Sequence, residues 1–210
     1  MNKRLLLWGT PIGIGLLFSL WYTDLGGPLN QREISEAIVL LQSRGFDAAR
    51  LADLRSFLEN DTGRQFLMIN NIDLNENPLA MPAMAADATA SDYINYYMKH
   101  MYPQMFARAC HPVFFASGLG FSADISGIEG ARDWDIAALF RYRSRRSFLE
   151  IITHPDMGPR HEYKLAAMTK TIAYPVEANL YLSDPRFLII LILGFTTALL
   201  DLFFYKPEGR

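Results

Sequence analysis

Apolar residues are concentrated in two long runs, one near each end of the chain. Residues 5–22 contain no charged side chain, and residues 187–205 contain one, Asp201. A helix rises about 1.5 Å per residue, so either run is long enough to cross the roughly 30 Å hydrocarbon core of a bilayer. The pattern therefore predicts two transmembrane helices, assigned to residues 1–23 and 186–205.

The first run also resembles a secretory signal peptide, because Lys3 and Arg4 precede it. A cleavage site with small residues is missing, however, since the run ends in SLWYTD at residues 19–24. We therefore expect an uncleaved membrane helix, with a signal peptide and a buried core helix as the alternatives.

Basic residues flank the outer ends of both runs. Lys3 and Arg4 precede the first run, and Lys206 and Arg210 follow the second. Positively charged flanks stay in the cytoplasm, so both termini are expected there and residues 24–186 on the opposite side. In a Gram-negative cell this predicts a two-pass inner-membrane protein with a periplasmic central domain.

Two features bear on how the membrane helices pack. Gly9 and Gly13 are four residues apart, a spacing that lets helix backbones approach closely and that is also ordinary glycine usage in membrane helices. Asp201 is expected to reach the interface or to pair with Lys206 or Arg4, and a proton-relay role is the alternative.

Residues 24–63 predict a linker and a helical lead-in. Asp24 to Pro28, with two glycines between them, breaks the first helix. Asn30 followed by Glu33 is the reciprocal capping pattern of a helix start, and a second helix begins at Asp47. The apolar positions of both helices recur every three or four residues: Ile34, Ala37, Ile38, Leu41, Leu51, Leu54 and Leu58.

Residues 64–182 alternate between strand and helix patterns. The predicted strands are 64–72, 111–117, 133–141 and 171–176, and the predicted helices are 91–107, 144–153 and 159–170. This βαββαβ order predicts an α+β fold with a ferredoxin-like antiparallel sheet, preceded by two helices and flanked by the two membrane helices. Pro175 places the last strand at an edge. The face of the sheet without helices needs a cover, and a second copy of the chain is the usual one.

Composition and charge exclude several classes of protein. The net charge of −2 argues against a nucleic-acid binder, and one cysteine, Cys110, excludes a disulfide framework or a multi-cysteine zinc site. Walker, G-x-G-x-x-G and G-x-S-x-G motifs are absent, and none of the four histidines forms a metalloprotease helix. We therefore expect neither a metal nor a cofactor.

Several polar residues are candidates for a binding site. Asn70 and Asn71 interrupt an apolar strand, and because neighbouring side chains point to opposite faces, one of them is buried; we favour Asn70. Tyr93, Tyr97 and Met101 recur every four residues on a predicted helix, as core packing or as the apolar wall of a cleft.

Two charged or titratable residues leave alternatives open. Asp135 shares a face of its predicted strand with Arg141, in a polar network or on a solvated surface. His161 begins the last predicted helix, as an exposed histidine or as an acid–base group of a cleft. The arginine-rich segment 141–146 is interpreted as salt-bridged or solvated rather than as a site for lipid headgroups.

Three segments resemble uncharacterised bacterial proteins of the dimeric α/β-barrel superfamily. They are LRSFLENDTGRQFLMIN at residues 54–70, Trp134 and Asp135 followed by RYRSRR at 141–146, and HEYKLAAMTKT at 161–171. The resemblance covers residues 47–178 and neither membrane helix. It implies a ferredoxin-like dimer with an apolar cleft between sheet and helices. Better-known members include cofactor-free monooxygenases, muconolactone-type isomerases, chlorite-dismutase-like haem proteins and ether-degradation proteins, but membership alone transfers no reaction.

Three hypotheses follow about function. The first is a membrane-anchored domain that binds a small apolar molecule or a partner, with Asn70, Tyr93, Tyr97 and Met101 as ligand contacts. The second is a cofactor-free monooxygenase or isomerase acting on a membrane-soluble aromatic. Its candidate catalytic residues are Asn70, Tyr97, Asp135 and His161.

The third hypothesis is an accessory structural subunit of a membrane complex. In every case the expected partners are the lipid bilayer and further copies of the chain, as a homodimer or larger oligomer, and nucleic acid is not expected. A deep cleft that brings the four catalytic candidates together would favour the enzyme, and a filled core with apolar outer surfaces would favour the subunit.

Overall fold

The computed structural model describes residues 2–205, which form seven helices and four strands. The helices are α1 (Lys3–Tyr22), α2 (Gln31–Ser43), α3 (Ala48–Glu59), α4 (Ala90–Phe106), α5 (Arg145–Ile152), α6 (Gly158–Ala166) and α7 (Pro185–Phe204). The strands are β1 (Phe66–Leu74), β2 (His111–Ser117), β3 (Ile136–Tyr142) and β4 (Met168–Val176). They divide into two compact units: α1 and α7 with their adjoining residues form one, and Gly26–Ala178 forms the other.

The first unit is a pair of long apolar helices. Both α1 and α7 have 20 residues and, by length and composition, can cross a membrane. They contact each other at Gly15, where a Cβ would lie 3.9 Å from Leu193 Cδ1, whereas a Cβ on Gly9 or Gly13 would have no neighbour within 4 Å. The helix pair therefore does not use the spacing of Gly9 and Gly13.

Polar contacts join the two helices at both ends. The guanidinium of Arg4 donates to both carboxylate oxygens of Asp201, at 2.8 and 2.7 Å. At the opposite end, Arg186 donates to Thr23 Oγ1 at 2.8 Å. The start of α1 therefore lies beside the end of α7, and the helices are antiparallel. Arg4 is the partner of Asp201 among the described residues; Lys206, the other predicted partner, lies outside them.

The second unit is built on a four-stranded antiparallel sheet with the strand order β2-β3-β1-β4. Helix α4 connects β1 to β2, and α5 and α6 connect β3 to β4. Because β3 lies between β1 and β2, and β1 lies between β3 and β4, each helical connection joins two parallel strands that are not neighbours. The predicted α+β class and antiparallel sheet are confirmed, and β4 is an edge strand, as Pro175 predicts.

Alternation along the strands separates the sheet into two faces. In β1, Phe66, Met68, Asn70 and Ile72 face the helices, where the two core clusters of the sheet form. The first cluster includes Tyr97, Met105, Tyr142 and Ile151, and the second includes Tyr93, Tyr163, Ala167 and Met168. The lead-in helices α2 and α3 pack around a third cluster, with Ile34, Leu41 and Leu58 at 1% exposure or less.

Within residues 2–205, the opposite face of the sheet is partly exposed around the middle of β3, whereas Leu67 and Arg141 at one end of this face are buried. The register places Ile69 of β1 opposite Leu139 of β3 and Tyr174 of β4, and it places Leu139 opposite Phe114 of β2. Phe114 is 49% exposed, and Tyr174 and Ile172 are each 42% exposed. We call this surface, formed by Ile69, Phe114, Leu139, Ile172 and Tyr174, the open sheet face.

Several element boundaries differ from those the sequence predicts, and β1 runs from Phe66 to Leu74 rather than over 64–72. The last helix, predicted to reach residue 170, ends at Ala166, and β4 begins at Met168. Pairing with β1 explains this, because Met168 lies opposite Leu74 and Lys170 opposite Asp73. The third strand begins at residue 136 rather than 133.

Candidate functional site

A cleft of about 1240 Å³ lies within the second unit, between the helix-facing side of the sheet and helices α4 to α6. Methionine and aromatic side chains form much of its wall, among them Met68, Tyr97, Met98, Met101, Phe140 and Met157. Flexible thioethers and flat rings adapt to apolar ligands of different shape. The cleft therefore has the composition of a site for an apolar molecule.

Asn70 provides the polar group on the sheet side of the cleft. Its neighbours across the sheet on the same face are two alanines, Ala138 of β3 and Ala173 of β4. Small side chains on both sides leave space above the carboxamide. Asn70 is 4% exposed, and its Nδ2 donates to the Met68 carbonyl oxygen at 3.1 Å. The amide is thus held with Oδ1 turned away from that carbonyl.

Lys164 faces Asn70 from α6. Its Nζ donates to Asn70 Oδ1 at 3.4 Å. Burial lowers the pKa of the Lys164 amine, because desolvation disfavours the charged form. None of the ion pairs formed within residues 2–205 involves Lys164. Sequence reasoning does not identify Lys164, because a lysine three residues from a histidine on one helix face is too common to indicate a site.

His161 lies one helical turn before Lys164 and also lines the cleft. Burial, with the positive charges of Lys164 and Arg50 nearby, lowers the pKa of His161 from 6.5 to about 4. The imidazole is therefore neutral at pH 7. Its ring meets the ring of Tyr97 edge to face, with centroids 6.2 Å apart.

Tyr97 supplies a protonated phenol to the cleft. Burial raises the pKa of Tyr97 to about 12, so the hydroxyl stays a donor at neutral pH. Its contact is the Met101 sulfur at 3.6 Å, a weak acceptor. A ligand oxygen could therefore replace this contact at little cost.

The predicted site residues divide into two groups. Asn70, Tyr97, Met101 and His161 line the cleft, and Tyr93 and Asp135 do not. The Tyr93 hydroxyl donates to the Leu79 carbonyl oxygen at 2.7 Å, in the neighbouring core cluster. The Asp135 carboxylate accepts the backbone N–H of Leu74 at 2.6 Å, at the end of the central strand β1.

The arginine-rich segment is used for internal contacts. Arg145 and Arg146 form salt bridges, the latter to Glu33 at 2.8 Å. Arg141 is fully buried, and its guanidinium donates to Gln65 Oε1 and to the Ala109 carbonyl oxygen. Asp135, which directly precedes β3, is exposed.

Metal and thiol chemistry find no support in the described part of the chain. Within residues 2–205 no group of three or more His, Cys, Asp or Glu side chains is placed to hold a metal ion. Cys110 is fully buried, and its Sγ contacts the Arg108 carbonyl oxygen and the Arg143 N–H. Burial raises the pKa of Cys110, which makes it a poor nucleophile.

Acidification is expected to destabilise the domain through His161. Between pH 6.5 and pH 4 the unfolded chain binds a proton at this residue and the folded chain does not, so the free energy of unfolding falls as the pH falls. The loss attributable to His161 is about 3 kcal/mol once the pH is below 4. It is measured as the difference in urea unfolding between wild type and His161→Gln, in detergent, from pH 7 to pH 4. NMR titration of the imidazole checks the cause; a midpoint near 6.5 would contradict it.

Comparison with known proteins gives the fold alone. No protein-family model matches the chain, and no curated protein matches it significantly. Among solved structures, it is similar to RPA0582, a protein of unknown function from Rhodopseudomonas palustris, with 18% identity, a TM-score of 0.51, and coverage of 65% of this chain and 96% of that chain. Methylated RPA0582 gives 18% identity, a TM-score of 0.51, and coverage of 66% and 96%. The fold of about two thirds of this chain therefore also occurs in a second protein.

Proposed function

We propose that this protein is a membrane-anchored α+β domain that binds a small apolar molecule outside the cytoplasm. The observation that carries the proposal is the cleft of about 1240 Å³. Its wall is mainly apolar, and Asn70, Tyr97, His161 and Lys164 supply a few polar groups. An apolar cavity with a small number of convergent polar groups is typical of a ligand site.

We propose further that the domain is ferredoxin-like and belongs with the dimeric α/β barrels. The βαββαβ order and the strand order β2-β3-β1-β4 support this topology. The open sheet face supports the dimer, because exposed apolar side chains on adjacent strands are the surface that a second copy would bury.

The proposed location is the inner membrane, with both termini in the cytoplasm and the domain in the periplasm. Two helices long and apolar enough to cross a bilayer support the anchoring. Lys3 and Arg4 at the start of α1 support the orientation by the positive-inside rule. Lys206 and Arg210, on which the same argument rests at the other end, lie outside the described residues.

Native mass spectrometry of the full-length protein in detergent, with identification of any released small molecule, tests the binding function. We expect a bound apolar molecule in wild type and about tenfold weaker binding of it by Ala138→Met, a loss of about 1.4 kcal/mol, because the longer side chain occupies cleft space beside Asn70. Ala52→Met is the matched control, because Ala52 is exposed on α3 and does not line the cleft.

The same measurement separates the remaining hypotheses. A ligand-free protein, or equal binding by wild type and Ala138→Met, would contradict the binding function. A second protein present at fixed stoichiometry, with no small molecule, would support the accessory subunit instead.

An enzymatic role is a second candidate, favoured by the convergence of Asn70, Tyr97 and His161 on one cleft. The fourth candidate residue, Asp135, does not reach it. A histidine with a pKa of about 4 is also a weak general base at neutral pH. Re-incubating the released ligand with protein and oxygen, and finding a changed mass that His161→Gln does not produce, would establish this role.

A further inference from the structure

We propose that the ligand of this cleft is an apolar molecule carrying one anionic group, and that Lys164 and Asn70 bind that group. The inference rests on the proposed binding function, because it names the chemistry of the ligand in the same cleft. It assigns a binding role to Lys164, a residue that no catalytic or metal-binding motif singles out in the sequence.

The first argument is the position of the two side chains. Asn70 rises from the middle of a central strand and Lys164 descends from α6, so they meet across the cleft with Nζ and Oδ1 3.4 Å apart. This distance is long for a hydrogen bond to an ammonium group, and an ammonium group has three donors. The contact therefore leaves most of the hydrogen-bonding capacity of Lys164 for a ligand.

The second argument is the balance of charge. Three basic residues line the cleft, Arg44, Arg50 and Lys164, against two acidic ones, Asp47 and Glu162. Asp47 is engaged elsewhere, because it accepts the Arg50 N–H at the start of α3 and lies 3.8 Å from the Arg50 guanidinium. Glu162 is exposed at the rim. The cation at the inner end of the cleft therefore has no carboxylate partner among these residues.

The third argument is the free-energy cost of a buried lysine that has no carboxylate partner in the cleft. A cation in apolar surroundings is unfavourable without a counter-charge, and burial accordingly lowers the pKa of Lys164. An anion beside Lys164 would accept charge-assisted hydrogen bonds from Nζ, and it would accept a further hydrogen bond from the second N–H of Asn70 Nδ2, where little water competes. The neighbouring His161 is neutral and adds no second positive charge. One anionic group is thus what the polar end of the cleft accommodates.

The apolar residues of the cleft wall indicate the chemistry of the rest of the ligand. Met68, Met98, Met101 and Phe140 continue from the polar end and offer no further charge. The alanines beside Asn70 leave room for a head group of carboxylate or phosphate size. The ligand class is therefore an amphipathic anion with a hydrocarbon or aromatic body, either a free carboxylate or a phosphate monoester.

Three ligands with the same ten-carbon chain test the inference: decanoate, decyl phosphate and decanol. Binding to the full-length protein in nanodiscs is measured by calorimetry, with empty nanodiscs subtracted. We expect wild type to bind one of the anions at least about tenfold more tightly than decanol. Which anion binds more tightly separates a carboxylate source from a phosphate source.

Substitution of the lysine provides the decisive comparison. Lys164→Met keeps a long flexible side chain and removes the charge, and we expect it to weaken anion binding about 10- to 100-fold while leaving decanol binding unchanged. Lys164→Arg should retain part of the preference for the anion. Lys99→Met, which removes the same charge from the exposed surface of α4, is the matched control and should change nothing.

The outcomes distinguish this inference from the proposed function. Equal affinity of wild type for decanol and both anions, or an anion preference that survives Lys164→Met, would overturn the role of Lys164 and leave an apolar binding site. Failure of all three ligands to bind would overturn both. A Lys164→Met protein that still binds decanol is folded, so its loss of anion binding could not be attributed to unfolding.

Discussion

Replacing Arg145 by methionine is expected to lower the free energy of unfolding by about 3–5 kcal/mol, the cost of removing one partner from a buried charge pair. Arg145 is 8% exposed, and its guanidinium lies 3.7 Å from the Asp61 carboxylate, whose side chain is 2% exposed. It also contacts Glu177 at 3.3 Å, donates to the Phe57 carbonyl oxygen and stacks on the Phe57 ring. One side chain therefore connects α5 to the end of α3 and to the segment after β4.

The expected loss of stability is large because Arg145→Met leaves the buried Asp61 carboxylate without its counter-charge. Asp61 would keep the backbone N–H groups of Leu29 and Gly63 as donors, at 2.8 and 3.0 Å, but would lose its counter-charge. Urea unfolding of the full-length protein in detergent, followed by near-UV circular dichroism, measures the loss. Arg55→Met is the matched control, because the Arg55–Glu59 pair is 41% exposed on both sides and contributes little. A loss below 1 kcal/mol for Arg145→Met would refute the argument.

Placing an arginine at Leu139 is expected to dissociate the proposed dimer. Leu139 lies in the middle of β3, with Ile69 and Phe114 beside it on the open sheet face. If a second copy covers this surface, the substitution buries an unpaired charge at the centre of the interface. The dissociation constant should then rise at least about 30-fold, as for the loss of a central hot spot.

Sedimentation of the full-length protein in density-matched detergent measures this change. Val39→Arg is the matched control, since Val39 is an equally apolar residue that is 64% exposed on α2, away from the sheet. A wild-type protein that is monomeric at all concentrations would contradict the dimer. An association that Leu139→Arg does not change would place the interface elsewhere.

The two long apolar helices and the sheet could be predicted because their patterns depend on local sequence. An uncharged apolar run and a strict alternation of side chains both persist whatever the neighbouring elements do. The end of α6 could not be predicted, because the segment after Ala166 contains good helix formers whose propensity is overridden by pairing with β1.

The site was only partly predictable for a related reason. Asn70 could be found because, of two adjacent amides in an apolar strand, one must face the core. The four-residue spacing groups Tyr93 with Tyr97 and Met101, but each four-residue step turns a helix about 40° further, so Tyr93 does not reach the cleft that Tyr97 and Met101 line.

Lys164 could not be found, because lysines on a helix usually face water and the inward direction of this side chain depends on how α6 docks on the sheet. The structural role of Asp135 could not be predicted, because its carboxylate accepts the backbone N–H of Leu74, sixty-one positions earlier in the chain.

The joined ends of α1 and α7 have a consequence for the chain between them. Arg4 and Asp201 hold the start of α1 beside the end of α7, so the chain between these two residues forms a closed loop. While the helix pair stays formed, holding the ends of this loop together reduces the number of conformations of the unfolded domain and so favours the folded domain. A single backbone cut in the exposed segment after β2 would open this loop. Neither fragment would be released, because one fragment would contain α1 and the other would contain α7.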